Sequence, residues 1–252
     1  TVDSSPNLGT IEFRDVSFSY ADAEEPVLQN ITFKVEKGQT VAFIGSTGSG
    51  KSTLINLIPR YFDVTSGEIL VDGINVKAYK KSTLHDKIGY VPQKANLFSG
   101  DITSNMQMSK EDITDDEIQT ALDIAQCSFI EKVDDGFTQP VSAGGKNFSG
   151  GQKQRLSIAR AIAKNPEIYI FDDSFSALDF KTDKTLRSAL KKYTKDATCL
   201  IVAQRISTIR DANQIVVLDN GKIVGIGTHD ELVSSNKVYK EIVDSQTKKE
   251  VM

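Results

Sequence analysis

Cysteine is scarce in this chain of 252 residues: there are two, Cys127 and Cys199, far apart in sequence. Cys199 falls in an apolar, strand-like run and is read as a buried core thiol rather than half of a disulfide or a metal ligand. Such cysteine usage points to a reducing compartment. No apolar run approaches the ~18 residues that a membrane span needs, and no secretory leader pattern opens the chain. Positive charge is not in excess either. Lys and Arg number 30 against 34 Asp and Glu, for a net charge of −4, and no basic stripe is present. Nucleic acid is therefore a poor partner. The sequence as it stands reads as soluble, which leaves a membrane-bound remainder open. Its length is enough for one full core, as a single large domain or a domain with a lobe.

The most informative stretch is Val41–Thr53. Val41–Ile44 is apolar and long enough for a buried strand, and Leu54, Ile55, Leu57 and Ile58 follow at helical spacing. Between them the chain fits a phosphate-binding loop: a Gly, four residues, then Gly-Lys-Ser. Its glycines Gly45, Gly48 and Gly50 are expected to let successive backbone N–H groups converge on one cavity, with the start of the helix adding its positive dipole end. Lys51 is expected at the β- and γ-phosphates and Ser52 at Mg²⁺. The expected nucleotide contacts are Gly45, Ser46, Thr47, Gly48, Ser49, Gly50, Lys51, Ser52 and Thr53. A tight Gly/Ser turn before a core helix is the alternative, but loop, Lys, hydroxyl and both flanks agree on a nucleoside triphosphate.

Around this loop the chain reads as an α/β protein. Thr1–Gly9 is polar and reads as a linker. Thr10–Tyr20 and Val27–Val35 read as strands, so antiparallel strands precede the loop. Gly67–Asp72 and Lys87–Gln93 are further strands, the second stopped by Pro92. By themselves, Tyr20 is a half-buried strand-end tyrosine and Gln93 a loop glutamine. Thr114–Ile130 is amphipathic, opened by a Thr114/Glu117 capping box, and a mainly helical lobe is expected over residues 102–164. Ser149, Gly150, Gly151 and Gln152 open a helix running to about Lys164, a second anion-binding helix start. Ile168–Phe171 is a buried strand ending in Asp172-Asp173. The first carboxylate suits the metal partner of Ser52 and the second a general base for water. Leu186–Tyr193 reads as helix and Thr198–Ala203 as a strand leading into Gln204-Arg205. Asp219-Asn220-Gly221 marks a hairpin. Thr228–Glu231 is a capping box opening the next helix, which places His229 at the surface. Helix and then a charged tail, residues 247–252, close the chain.

The order of these motifs resembles the nucleotide-binding domain of ABC transporters, over residues 10–246. The matching segments are the loop Gly45–Thr53, Gln93 at the family's Q-loop, Ser149–Gln152 as its Ser-Gly-Gly-Gln signature, Ile168–Asp172 as Walker B and Ser176–Asp179 as the D-loop. The resemblance implies the ABC ATPase fold: a P-loop NTPase core with an N-terminal antiparallel β subdomain and a helical subdomain. It implies ATP and Mg²⁺ as cofactors, Tyr20 stacking on adenine, Gln93 sensing Mg²⁺ and the γ-phosphate, and Ser52, Gln93 and Asp172 around the metal. It further implies a head-to-tail dimer in which each ATP lies between one chain's P-loop and the other's signature helix. Residues 18–33 and 221–232 look like the exporter branch, in which a membrane-spanning domain precedes this one. The expected location is then the cytoplasmic face of the membrane.

Two residues depart from the family pattern. Asp173 stands where the family usually has Glu, which retracts the base by about one bond, ~1.5 Å; a ~1 Å misplacement can cost on the order of 10²-fold in rate. Gln204 replaces the family's switch histidine and has no titratable nitrogen. Both fall on one composite site, while Ser149–Gln152 is intact, as in the degenerate half of a heterodimeric exporter. The loop Val141–Gly145 also lacks an acidic residue common in exporters. The expectation is a slow own site, Asp173, Gln204 and Gln93 being its catalytic set, and a signature that completes the site of a different partner chain. The alternatives are an ordinary homodimeric exporter ATPase with Asp173 as base, and a soluble ABC ATPase without a transport role.

Overall fold

The computed structural model describes residues 1–250. The chain runs β1 (Ile11–Phe18), β2 (Leu28–Val35), β3 (Thr40–Gly45), α1 (Lys51–Asn56), β4 (Ser66–Val71), β5 (Ile74–Asn75), α2 (Lys81–Asp86), β6 (Ile88–Val91), β7 (Gly100–Asp101), α3 (Ile102–Gln107), α4 (Asp115–Ile124), β8 (Pro140–Val141) and α5 (Gly150–Lys164). It continues through β9 (Ile168–Asp172), α6 (Phe180–Tyr193), β10 (Thr198–Val202), α7 (Ile206–Ile209), β11 (Gln214–Asp219), β12 (Lys222–Gly227), α8 (His229–Ser235) and α9 (Lys237–Glu250).

Six strands form the central sheet in the order β12-β11-β3-β10-β9-β6, parallel except for β12. Its inner strands are buried on both faces, and the two-residue period divides their side chains between two cores. Val41 and Phe43 on β3 and Ile168 and Ile170 on β9 face one core, with α1 and the antiparallel sheet β2-β1-β4-β5. Ala42, Ile44, Tyr169 and Phe171 face the other, with α3 to α6. Ile102, Met106, Ile118, Leu122 and Phe137 of the expected helical lobe belong to this second core. That lobe contains α3, α4, α5 and the short ribbon β7-β8, and its apolar faces are buried together with the sheet rather than in a core of their own.

Several boundaries differ from expectation for local reasons. Thr114 caps α4 by accepting from Glu117 N, but the Glu117 carboxylate turns to Lys110 (2.6 Å), so the box is half made. The helix ends at Ile124, before Gln126 at φ 61°. α6 begins at Phe180 rather than Leu186, because Asp179 caps it by accepting from Thr182 N (2.6 Å). Thr1–Gly9, expected as a linker, packs on the core: Val2 pairs with Tyr79, and Lys87 Nζ donates to Asn7 Oδ1 (2.9 Å). α9 carries the helix through Lys249 in the expected tail, while Val251 and Met252 lie outside the described residues. Cys127 and Cys199 are both free and buried, and burial pushes each thiol up to about 12. His229 is corrected. It is 8% exposed, its Nδ1 lies 2.7 Å from Tyr239 Oη, and Tyr239 is itself fully buried. The capping box does open α8, but the ring turns inward against α9 instead of outward to solvent.

Candidate functional site

The loop between β3 and α1 keeps its shape for two separate steric reasons. Gly48 (φ 80°) and Gly50 (φ 102°) take left-handed backbone that side chains disfavour. Gly45 does not: there a Cβ would stand 2.2 Å from Leu218 O on β11, so close approach of the neighbouring strand demands glycine. Sequence spacing assigned all three to loop curvature; for Gly45 the reason is packing. Lys51 Nζ folds over the loop and donates to Gly45 O (2.6 Å) and Ser46 O (3.1 Å).

A cavity of about 330 Å³ lies against this loop, lined by Val27, Thr47 to Thr53, Gln93, Asp172, Asp173, Val202 and Gln204. The parallel sheet explains the gathering. β6, β9 and β10 lie side by side, and each ends at the same edge, delivering Gln93, Asp172-Asp173 and Gln204 from distant parts of the chain. Ser52 Oγ donates to Asp172 Oδ1 (3.0 Å), and Gln93 Nε2 donates to Asp173 Oδ2 (3.3 Å). Tyr90 Oη donates to Asn56 Oδ1 (2.7 Å) and reaches Asp172 Oδ2 at 3.5 Å. Motif reading missed Tyr90 and Asn56, for which sequence spacing carries no signal.

Electrostatically the cavity wants a cation. Burial raises the carboxyls of Asp172 and Asp173 above the ordinary range; for Asp173 the neighbouring Asp172 charge adds to it. Burial also lowers Lys51, against the pull of the two aspartates. Ser52 Oγ and the Asp172 carboxylate are hard oxygen donors suited to Mg²⁺, which takes one or two protein ligands beside substrate phosphates. Among the described residues no group of three or more His, Cys, Asp or Glu forms a larger cage. Ser49 Oγ is buried without a hydrogen-bond partner on the cavity wall, a further polar atom available to a phosphate. The residues present therefore fit a magnesium-bound nucleotide.

Other expected residues lie apart from this cavity. Tyr20 is 41% exposed, packs edge-on against Phe18 and Phe62, and its hydroxyl lies 3.0 Å from Thr53 Oγ1 at the cavity wall. None of Ser149, Gly150, Gly151 and Gln152 lines the cavity. They form a closed capping box, in which Ser149 Oγ accepts from Gln152 N (3.2 Å) and Gln152 Oε1 accepts from Ser149 N (3.0 Å). A Cβ added at Gly150 would meet nothing within 4 Å, so this helix start faces open space.

A glycine loop feeding a helix at the carboxyl edge of a parallel sheet, with Lys, Ser and Asp converging there, defines a P-loop nucleoside triphosphate-binding domain. Relatives narrow the class. A family model described as ABC transporter matches residues 28–176. An uncharacterized ABC transporter ATP-binding protein of Mycobacterium tuberculosis is 46% identical over 243 residues, 95% of this chain and 41% of that protein. A Staphylococcus aureus protein described as a candidate multidrug export ATP-binding/permease protein is 46% identical over 239 residues, 94% of this chain and 41% of its own length. The solved structure of a bacterial Atm1-family ABC exporter with ATP bound has a TM-score of 0.91 at 33% identity, covering 97% of this chain and 43% of that one. The chain belongs to the ABC transporter family and has the ABC ATPase fold of an exporter nucleotide-binding domain. It spans less than half the length of these relatives.

Proposed function

We propose that the chain, with residues 10–246 as its ATP-binding unit, serves a membrane exporter. It binds MgATP at a site of low hydrolytic power and completes, with its own signature helix, a competent site on a different partner chain. A membrane-spanning domain on the N-terminal side and a position at the cytoplasmic face belong to the same reading, supported by the ATP-binding/permease description of one relative. The observation that carries the proposal is the separation of two helix starts on one chain. Lys51 and Ser52 line the chain's own cavity, whereas Ser149–Gln152 do not, and open space lies over Gly150. Two anion-capable termini that do not share a cavity serve different phosphates, which a head-to-tail pair supplies.

In this reading Lys51 and the loop N–H groups hold the β- and γ-phosphates, Ser52, Asp172 and Gln93 surround Mg²⁺, and Tyr20 stacks on the base. Bound MgATP supplies the phosphoryl group. Asp173 and Gln204 supply weaker help than the family's Glu and His: a shorter carboxylate beside Gln93, and an amide that donates but does not titrate. A homodimeric ATPase with Asp173 as a working base is the second reading, favoured by the contact of Asp173 with Gln93 and its raised carboxyl. The test is steady-state phosphate release by the purified chain alone, against its MgATP affinity. Tight binding with turnover about 10²-fold below a Glu-containing relative is expected. Turnover equal to that relative assigns Asp173 as an effective base and the site as competent.

A further inference from the structure

We propose that Gln246, on α9, is a positioning residue for Gln204: its side-chain amide grips the backbone on both sides of Arg205 and so sets how Gln204 reaches the γ-phosphate. The proposal rests on the reading above that Gln204 faces that phosphate. Gln246 Nε2 donates to Gln204 O (2.6 Å), and Gln246 Oε1 accepts from Ile206 N (2.9 Å). One planar amide, brought from forty residues away, thus satisfies two backbone groups of the loop that follows β10.

The loop needs that help. Its short helix α7 starts at Ile206, and the N-cap residue Arg205 offers no side-chain cap. A helix start without a cap leaves its first N–H groups unpaired; Gln246 fills the role from another element. Arg205 itself is engaged elsewhere. Its guanidinium donates to Phe175 O (2.6 Å), Leu178 O (3.0 Å) and the buried Asp183 carboxylate (3.0 Å), and lies 4.9 Å from the Phe180 ring. The side chain of Arg205 pins the loop to the segment after β9. The peptide groups flanking it are left to Gln246. Among the described residues the Gln204 side chain has no protein partner, and it borders both the phosphate cavity and a second cavity of about 1000 Å³ between α6, α7 and α9. With no partner of its own, the Gln204 side chain starts from wherever its backbone stands, and Gln246 holds that backbone at Gln204 O. α9 gives a firm base for this grip, since Tyr239 is fully buried and Val243 packs against the core.

A residue that acts through Gln204 affects the γ-phosphate alone, whereas one that merely stabilises the loop affects every nucleotide. The measurement is the Mg²⁺-dependent affinity of the chain for ATP and for ADP, by calorimetry, in the parent, Gln204→Ala, Gln246→Leu and the double variant. Gln204→Ala should lower the ATP-over-ADP preference by about tenfold, the worth of a hydrogen bond to a charged oxygen. Gln246→Leu keeps the side-chain volume but loses both bonds; it should lower the same ratio about 3- to 10-fold at unchanged ADP affinity. The double variant should be no worse than Gln204→Ala, because the two act as one unit. Gln246→Glu keeps the acceptor for Ile206 N but sets a carboxylate oxygen against Gln204 O, so it should lower the ratio at least as far as Gln246→Leu. If Gln204→Ala lowers the ratio and Gln246→Leu does not, or if Gln246→Leu weakens ATP and ADP alike, the positioning role is overturned while the reading of Gln204 stands. If Gln204→Ala itself leaves the ratio unchanged, the reading of Gln204 fails, and the proposal with it.

Discussion

Asp172 and Asp173 are adjacent, both buried, and differently held. Asp172 ends β9 in the sheet register and meets the Ser52 hydroxyl. Asp173 leaves the strand in left-handed backbone (φ 51°), its N–H donating to Val202 O (2.7 Å), which turns its carboxylate to Gln93 instead. A left-handed Asp is tolerated better than most side chains but still strained, as residues at reaction centres often are. Two aspartates at one cavity are therefore not interchangeable. Asp172→Asn should weaken Mg²⁺-dependent ATP binding by about 10- to 100-fold, since it removes a charge-assisted contact beside the metal. Asp173→Asn should leave binding within a few-fold and, in the assembled pair, change turnover little. Nucleotide titrations with and without Mg²⁺, together with ATPase assays of the pair, check both. Loss of all turnover in Asp173→Asn would make Asp173 the working base and favour the homodimeric reading.

At the scale of elements, α8 and α9 are joined by a buried polar pair, His229 and Tyr239. Burial, and then the nearby Arg210 charge, hold His229 below the usual histidine range; Asp230 and Asp211 oppose this. The sign follows directly. Folded His229 resists a proton that the unfolded chain accepts near pH 6.5, so its contribution is complete above that pH and is lost as the pH falls below it. Urea unfolding midpoints followed from about pH 8 to about pH 5 should therefore decline on the acid side. His229→Gln, which keeps a polar partner for Tyr239 without a titrating ring, should flatten that part of the decline. His229→Leu leaves the Tyr239 hydroxyl buried without a partner and should cost about 1–3 kcal/mol near pH 8, the gap to the parent narrowing as the pH falls.

For the whole molecule, the proposed weakness of Asp173 and Gln204, beside a signature helix start that lies outside their cavity, would make the cycle asymmetric. Gly150 faces open space, so Gly150→Asp leaves the free chain intact. In the proposed head-to-tail pair it would place a carboxylate where a partner's γ-phosphate approaches, so that like charges meet at a desolvated spot. Turnover of the pair should fall on the order of 10²-fold or more. Lys51→Ala strikes the chain's own site; if that site hydrolyses poorly, as proposed, nucleotide occupancy there should weaken and the cycle slow, with hydrolysis still measurable at the other site. Steady-state ATPase of the reconstituted pair, one altered chain at a time, gives the comparison. Equal damage from the two changes would mean that Asp173 and Gln204 do not govern the cycle.

Local chemistry was legible in the sequence where neighbours along the chain do the work. The loop Gly45–Thr53, the helix start at Ser149–Gln152, the Asn220-Gly221 hairpin and the apolar strand β9 all depend on residues a few positions apart, and each formed near its expected place. The first turn of α6 was not legible, because its Lys-Thr-Asp-Lys run has no apolar period to read and is started by a cap. Gly45 was legible as a glycine but not for its reason, a carbonyl on β11 that approaches from 173 positions along the chain. The inward turn of His229 and the grip of Gln246 on the loop after β10 follow from the docking of α9, which no spacing encodes. Sequence determined which groups the site contains; only the packing of distant elements decided their directions, because a hydrogen bond between residues far apart in the chain exists only once both backbones are fixed.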